Sequence, residues 1–309
     1  MTIKGHTRQL FIVPLLWVAA LLAAGCNDDL TTPSFIHIDS IVLQPNGNHV
    51  LFADEGMLTS EIDAVVLYAH RKGTTKIDTI GHFTLPFTAP LLMDGEIDYL
   101  EVAPAVKWGG SSRAIVPYPF YKEIFHRDLR LTAGDTLDLG TDTTYYDLSL
   151  DQLRIFINFE PPASDIFFDS VMQWTTGDHA GACRGGGYGY VPVAADQTTV
   201  NFAIDRTFTV ANPLLAVWME LDSRSDIEYS VNMISRYTSG GAEDQQEVMR
   251  IRPSEDWVHM YINLGTTWSY FNHYQDFRIS FTAINGDGQE GEIRLDNVRL
   301  VTHYPHFNN

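Results

Sequence analysis

From Phe35 onward, apolar residues return at every second position, almost nowhere at the three-to-four spacing of a helix. Successive side chains leave a strand on opposite sides, so this pattern dictates strands with one face buried. Phe35-Ile-His-Ile-Asp-Ser-Ile-Val-Leu runs into Asn46-Gly47, a hairpin turn signal, and then His49-Val-Leu-Phe. Ile62–Tyr68, Lys76–Ile80 and Ile97–Val102 continue the series. Longer runs follow at Leu214–Asp222, Ile227–Ile234, Val258–Leu264, Phe277–Ala283 and Ile293–Val301, the last two joined by Asn285-Gly-Asp-Gly-Gln-Glu-Gly, which reads as a hairpin loop. Turn residues interrupt the runs at short intervals, so the expected class is all-β, built as sandwiches, with no helix beyond the leader.

Residues 1–25 stand apart. Lys4 and Arg8 precede an apolar run from Leu10 to Gly25 that closes on small residues before Cys26. That is the three-part layout of a cleaved secretory signal peptide. A spanning helix needs ~20 apolar residues; this run has 16 and contains Pro14. Its end, Ala23-Ala24-Gly25-Cys26, resembles the lipobox of bacterial lipoproteins, with Ala23 where leucine is commonest. The resemblance implies that Cys26 is acylated, palmitate included, and becomes the mature N-terminus. Several acyl chains on one residue anchor stably where a single chain binds only marginally. Asn27-Asp28-Asp29 is similar to the export tag of surface-exposed lipoproteins in Bacteroidota-type outer membranes. The expectation is a protein tethered through residues 26–34 to the outward face of the cell outer membrane.

The leader carries two basic residues and no acid, so cleavage leaves 18 basic against 39 acidic residues, or −21. Such a field repels nucleic acid and argues against a phosphate-reading function. Cys183 becomes the one remaining thiol, which excludes an intramolecular disulfide and a cysteine-based zinc site. In Gly181-Ala-Cys-Arg-Gly-Gly-Gly it reads as a small buried filler.

The polar, turn-rich stretch Leu131–Thr144 marks a boundary near 148, dividing the mature chain into 35–148 and 149–309. Three short segments, Asn158-Phe-Glu160, Trp257-Val-His-Met-Tyr-Ile-Asn-Leu and Leu295-Asp-Asn-Val-Arg-Leu, occur in that order in the second part. They resemble the jelly-roll domains seen in carbohydrate-binding modules. The first part, through Leu85-Pro-Phe-Thr-Ala-Pro and Gly95-Glu-Ile to Tyr118-Pro-Phe-Tyr, is similar to small β-sandwich domains of the PEGA or carboxypeptidase-regulatory-like kind. The pairing behind a lipobox resembles a group of Bacteroidota lipoproteins of unassigned function, and it bears on fold far more than on activity.

Alternation sorts the second part into faces. Val258, Met260, Ile262 and Leu264 point one way, toward an inter-sheet core; Trp257, His259, Tyr261 and Asn263 point the other. Likewise Trp218, Glu220 and Asp222 oppose Val217, Met219 and Leu221, and Arg278 lies on the outward side of its strand. An exposed sheet face with these aromatic and polar residues would make a sugar platform: rings cover pyranose C–H groups while charged and amide side chains fix hydroxyls. The same faces would equally serve a scaffold subunit bound to an outer-membrane protein. The jelly-roll resemblance further implies a structural Ca²⁺ held by Glu160 and Asp296. No other cofactor is indicated.

Catalytic signals do not assemble. Gly185-Gly-Gly-Tyr-Gly-Tyr lacks the spacing of a dinucleotide loop, and neither a Gly-x-Ser-x-Gly elbow nor a His-Glu-x-x-His helix occurs. Glu220 and Asp222, two apart on a strand, would stand ~7 Å from one another, which suits an inverting glycosidase by arithmetic alone. Binding, then scaffolding, then glycoside hydrolysis is the order the residues support, and the protein reads as a non-enzyme.

Overall fold

The computed structural model describes residues 32–46, 62–92, 97–110, 114–147, 153–160, 168–175, 181–183, 186–208, 216–237, 243–270 and 274–303. The leader, Cys26, most of the tether, Gly47 with the run after it, and the boundary at 148 lie outside the described residues. The regular secondary structure of the described residues is almost wholly strand, as the period of two requires.

In the first part, β3 (Ala64–Arg71) pairs with β4 (Ile77–Thr84) and with the long β6 (Ile97–Lys107). The far side of β6 takes β7 (Ile115–Pro117) and β8 (Ile124–Arg127), giving an antiparallel sheet of five strands. Against it lie two small sheets. One joins β1 (Ser34–Ile38) to β5 (Phe87–Leu91) and to β9 (Thr136–Asp138); the other joins β2 (Ser40–Leu43) to β10 (Thr141–Thr144). The β1–β9 and β2–β10 pairs are parallel, so β2 has a partner about a hundred residues away in the chain. Ile36, Ile38, Val65, Leu67, Leu100 and Val102 fill the space between the layers.

The second part is a jelly-roll sandwich of two antiparallel sheets. The larger runs β12 (Gln173–Trp174), β13 (Gly189–Val193), β20 (Gly291–His303), β15 (Ala216–Ser225), β18 (Ser254–Asn263), with β11 (Leu153–Ile157) also on β20. The smaller runs β14 (Thr199–Ala203), β19 (Tyr274–Ile284), β16 (Glu228–Tyr237), β17 (Glu243–Ile251). Val217, Met219 and Leu221 meet Tyr229, Val231, Phe277, Ile279 and Phe281 in the core between them. Met260, Ile262 and Leu264 join that core as expected, but Val258 is 42% exposed, because the start of β18 borders an open groove. No strand of the first part hydrogen-bonds to a strand of the second among the described residues.

Two expectations are corrected. The Asn285–Glu290 loop is not a hairpin, since β19 and β20 belong to opposite sheets and the chain crosses between layers there. Asn285 closes the crossing: its Nδ2 donates to Ala194 O (3.2 Å) and Gln289 O (2.9 Å), and its Oδ1 accepts from Gln289 N (3.1 Å). Gly-Asp-Gly favours reversal of the chain without deciding which strands pair. One short helix, α1 (Gly265–Tyr270), follows β18. Six residues are too few to show a 3.6 period in sequence. Asn263 starts it by accepting Gly265 N at 2.9 Å, and Trp268 anchors it against Phe277 with ring centroids 5.2 Å apart.

Candidate functional site

Residues directly opposite one another on paired strands share a face. The outward face of the larger sheet therefore has rows fixed by register: Trp218 beside Val301 and Asn263; Glu220 beside Arg299 and Tyr261; Asp222 beside Asp296 and His259; Arg224 beside Arg294. Seven of the sequence-derived candidates, including Trp257, lie on or along this face. Arg278 does not. It sits on β19 in the other sheet, where Glu243 holds it through contacts of 2.9 and 3.0 Å.

The expectation that this face is open is corrected for its first two rows. Trp218 is 3% exposed, and it shares a cluster with Tyr118, Phe120, Tyr121 and Tyr146 of the first part. Tyr118 stands edge-on to the Trp218 ring (5.3 Å) and to Tyr261 (5.0 Å), while Tyr121 Oη and Tyr261 Oη are 2.7 Å apart. The apolar surface that a scaffold reading would give to a partner is thus covered by the chain itself.

A charged network lies inside this junction. Glu220, wholly buried, accepts hydrogen bonds from the hydroxyls of Tyr118 and Tyr146 (2.8 Å for Tyr146) and from Arg299 Nη1 at 3.3 Å. Arg299, 1% exposed, also donates to Tyr146 Oη at 2.9 Å. His259 bridges the two carboxylates, Nδ1 to Asp222 at 2.7 Å and Nε2 to Glu220 at 3.5 Å. Asp222 also accepts from Asn297 Nδ2 at 2.8 Å. Burial works to raise the Glu220 carboxyl, but His259, Arg299 and Tyr118 outweigh it and hold it at about 2. Asp222 is lowered by the same balance, with burial opposed by His259 and Asn297. Burial would lower His259, and its two carboxylate partners raise it above its ordinary value instead. Each acid of this network has hydrogen-bond partners within it.

Where the cover ends, a groove of about 950 Å³ opens along β18. Trp257, His259, Tyr261 and Asp222 line it, so four candidates read as one face from sequence do meet at one cavity. Lys107 and Asp63, an ion pair, contribute the wall from the first part, and Arg250 and Arg252 the wall from the smaller sheet. Trp257 is half-buried; its indole Nε1 donates to Gly181 O at 3.0 Å and its ring meets Tyr188 edge-on at 6.0 Å, so its orientation is fixed. Cys183, expected as buried filler, is instead a half-buried part of this lining. Sequence reasoning missed Asp63, Lys107, Arg250 and Arg252, which lie on other elements and carry no local signal.

Glu160 and Asp296 are brought near one another. The Glu160 carboxylate accepts Gly187 N at 2.9 Å, and a side chain at Gly186 would run into it. Asp296 accepts the amide of Asn297 at 2.8 Å, with Asn297 in the left-handed region (φ 48°). Burial, then the carboxylates of Asp222 and Glu160, push the Asp296 carboxyl up to about 8. Among the described residues, the group of three whose possible ligand atoms lie within 4.8 Å of one another is His37, Asp39 and Asp138 in the first part, and Glu160 and Asp296 do not belong to it.

No protein-family model matches the chain, and no curated protein does. Among solved structures it is similar to the family 11 carbohydrate-binding module of a cellulosomal cellulase of Clostridium thermocellum, with 13% identity over 46% of this chain and 89% of that one, TM-score 0.30. It is also similar to a variant of a family 29 carbohydrate-binding module complexed with mannohexaose, with 15% identity over 48% of this chain and 89% of that one, TM-score 0.31. A third is the family 30 module of another Clostridium thermocellum cellulosomal cellulase, with 12% identity, 43% and 83% coverage, TM-score 0.33. The sandwich assignment rests on the strand pairing and inter-sheet core described above.

Proposed function

We propose that this protein is a non-catalytic, lipid-anchored binding protein of the outer-membrane surface that holds a glycan in the groove along β18. The observation that carries the reading is Trp257: an oriented aromatic ring on the wall of a cavity that mixes apolar side chains with hydroxyl, carboxylate and basic groups. Flat apolar rings cover sugar C–H faces, and a few polar side chains around them fix hydroxyls. The anchor belongs to the same reading, because acylation of Cys26 would hold a weak binder at high local concentration where its ligand passes. A structural Ca²⁺ between Glu160 and Asp296 would offset the crowding of carboxylates there; it takes no part in binding.

The test is a glycan array probed with the full-length protein in mild detergent beside Trp257→Ala. Loss of an aromatic platform costs ~2 kcal/mol, about 30-fold in affinity. Trp218→Ala serves as a control for folding, since Trp218 packs in the junction. An intact protein that binds no glycan, or equal binding by Trp257→Ala, would sink the proposal.

A further inference from the structure

Away from the groove, the five-stranded sheet of the first part ends in a row fixed by register: Ile77 on β4, His70 on β3, Tyr99 on β6 and Arg127 on β8. The adjacent Ala69 and Leu100 are in the core between the layers, so alternation turns His70 and Tyr99 outward. Beyond this row β3 and β4 are joined by Arg71-Lys72-Gly73-Thr74-Thr75-Lys76. The hairpin turn carries three basic residues and no acid, in a chain with 20 basic and 39 acidic residues. Arg71 and Lys76 share the carboxylate of Asp78, and Lys76 still leaves 62% of its side chain in solvent. Ile77 follows it, 54% exposed.

The chain enters the fold at the same end. Ser34, which opens β1, stands opposite Leu91, six residues before Ile97, and Ile97 stands opposite Arg71. The Ser34 hydroxyl donates to Thr132 O at 3.0 Å, and Thr132 is five residues beyond Arg127. Five or six residues of chain span at most about 20 Å. Two separate connections therefore hold the start of β1 to the end of the sheet that carries the basic turn. Leu92 lies there too, 63% exposed; Leu92 and Ile77 are the two most exposed large apolar side chains among the described residues. From Cys26 to Ser34 the chain reaches at most about 30 Å even fully extended.

We infer that this end of the first part docks on the membrane that holds the anchor, with Lys72 and Lys76 on anionic lipid headgroups and Ile77 and Leu92 in the interfacial layer. The inference rests on the acyl anchor at Cys26 and adds the surface that meets the bilayer. Charges are screened over about 8 Å at physiological salt, so a basic turn acts at contact although the chain as a whole is acidic. Basic side chains near an anionic leaflet and apolar ones at the headgroup boundary each strengthen binding. Together they would fix the first part on the surface, where a tether alone lets it swing.

Co-sedimentation with vesicles tests this on the mature chain, residues 26–309, carrying Cys26→Ser and so lacking acyl chains. It should bind phosphatidylcholine vesicles containing about 30% phosphatidylglycerol roughly tenfold more tightly than phosphatidylcholine alone, the difference shrinking as salt is raised. Lys72→Gln with Lys76→Gln should remove most of that difference, and Ile77→Ser with Leu92→Ser should weaken binding to both kinds of vesicle. Melting temperatures should not move, because all four side chains are exposed. If the apolar pair does prove unstable, Thr75→Glu, at an exposed position in the same turn, should weaken binding to anionic vesicles alone. Equal binding to both vesicles, or full anionic binding by the lysine variant, overturns the inference and leaves the acyl anchor standing. Self-association through Ile77 and Leu92 without vesicle binding overturns it in favour of a second copy as the occupant. An unacylated Cys26 in protein isolated from cells removes the anchor, and with it the reason for this end to face a bilayer.

Discussion

Replacing Glu220 by glutamine tests the junction where it is most exposed to failure. The side chain keeps its shape and one acceptor oxygen, but loses the charge that Arg299 and His259 face. The carboxyl is held at about 2 against an ordinary 4.5, a preferential stabilisation of the anion on the order of 3 kcal/mol. Removing one partner of a buried ion pair generally costs ~3–5 kcal/mol, because the other charge stays behind in a poor solvent. Arg299 is such a charge, and the two arguments agree on about 3–4 kcal/mol. Urea denaturation followed by tryptophan fluorescence reads it, since Trp218 is buried in this junction. The double variant E220Q/R299M should cost less than the sum of its parts by at least ~1 kcal/mol, as neighbours in one network do. A loss below ~1 kcal/mol for E220Q, or strictly additive singles, refutes the reasoning. The pH dependence has a fixed sign. Glu220 is lowered in the folded state, so its contribution is complete above about 4.5 and is lost as pH falls toward about 2. His259 is raised, so its contribution is complete below 6.5 and is lost as pH climbs through its folded value. The junction should be most stable between those limits, and His259→Asn should flatten the alkaline side and, because His259 also helps to lower Glu220 and Asp222, weaken the acid side as well.

Two other outcomes are expected. Cys26→Ser should move the protein from the membrane fraction to the soluble one in cell fractionation; persistence in the membrane would remove the acyl anchor from the account. Calcium should raise the melting temperature relative to EDTA, because a ligand of the folded state stabilises it by mass action, and Asp296→Asn should abolish the difference. Superimposable melting curves with and without EDTA would exclude the ion.

Much of this molecule is written locally. A strand has a period of two because of its backbone geometry, so the alternation of Met219, Leu221, Ile262, Phe281 and Leu295 with polar neighbours both names the class and says which side of each strand is buried. The same rule puts Trp257, His259 and Tyr261 on one face from their spacing alone, and all three line the groove. What alternation cannot carry is membership and cover. Arg278 has the pattern of an outward residue and is one, but of the opposite sheet; the Asn285–Glu290 loop has turn chemistry and crosses between layers. Glu220 and Trp218 point out of their sandwich as alternation requires, and are buried all the same. Tyr118, 102 residues before Glu220, reaches it only because the first part folds against that face. Which side of a strand is apolar is settled within a few residues of chain. Which sheet the strand joins, and what lies against its outer side, is settled by contacts between segments far apart in sequence, and only the tertiary structure decides those.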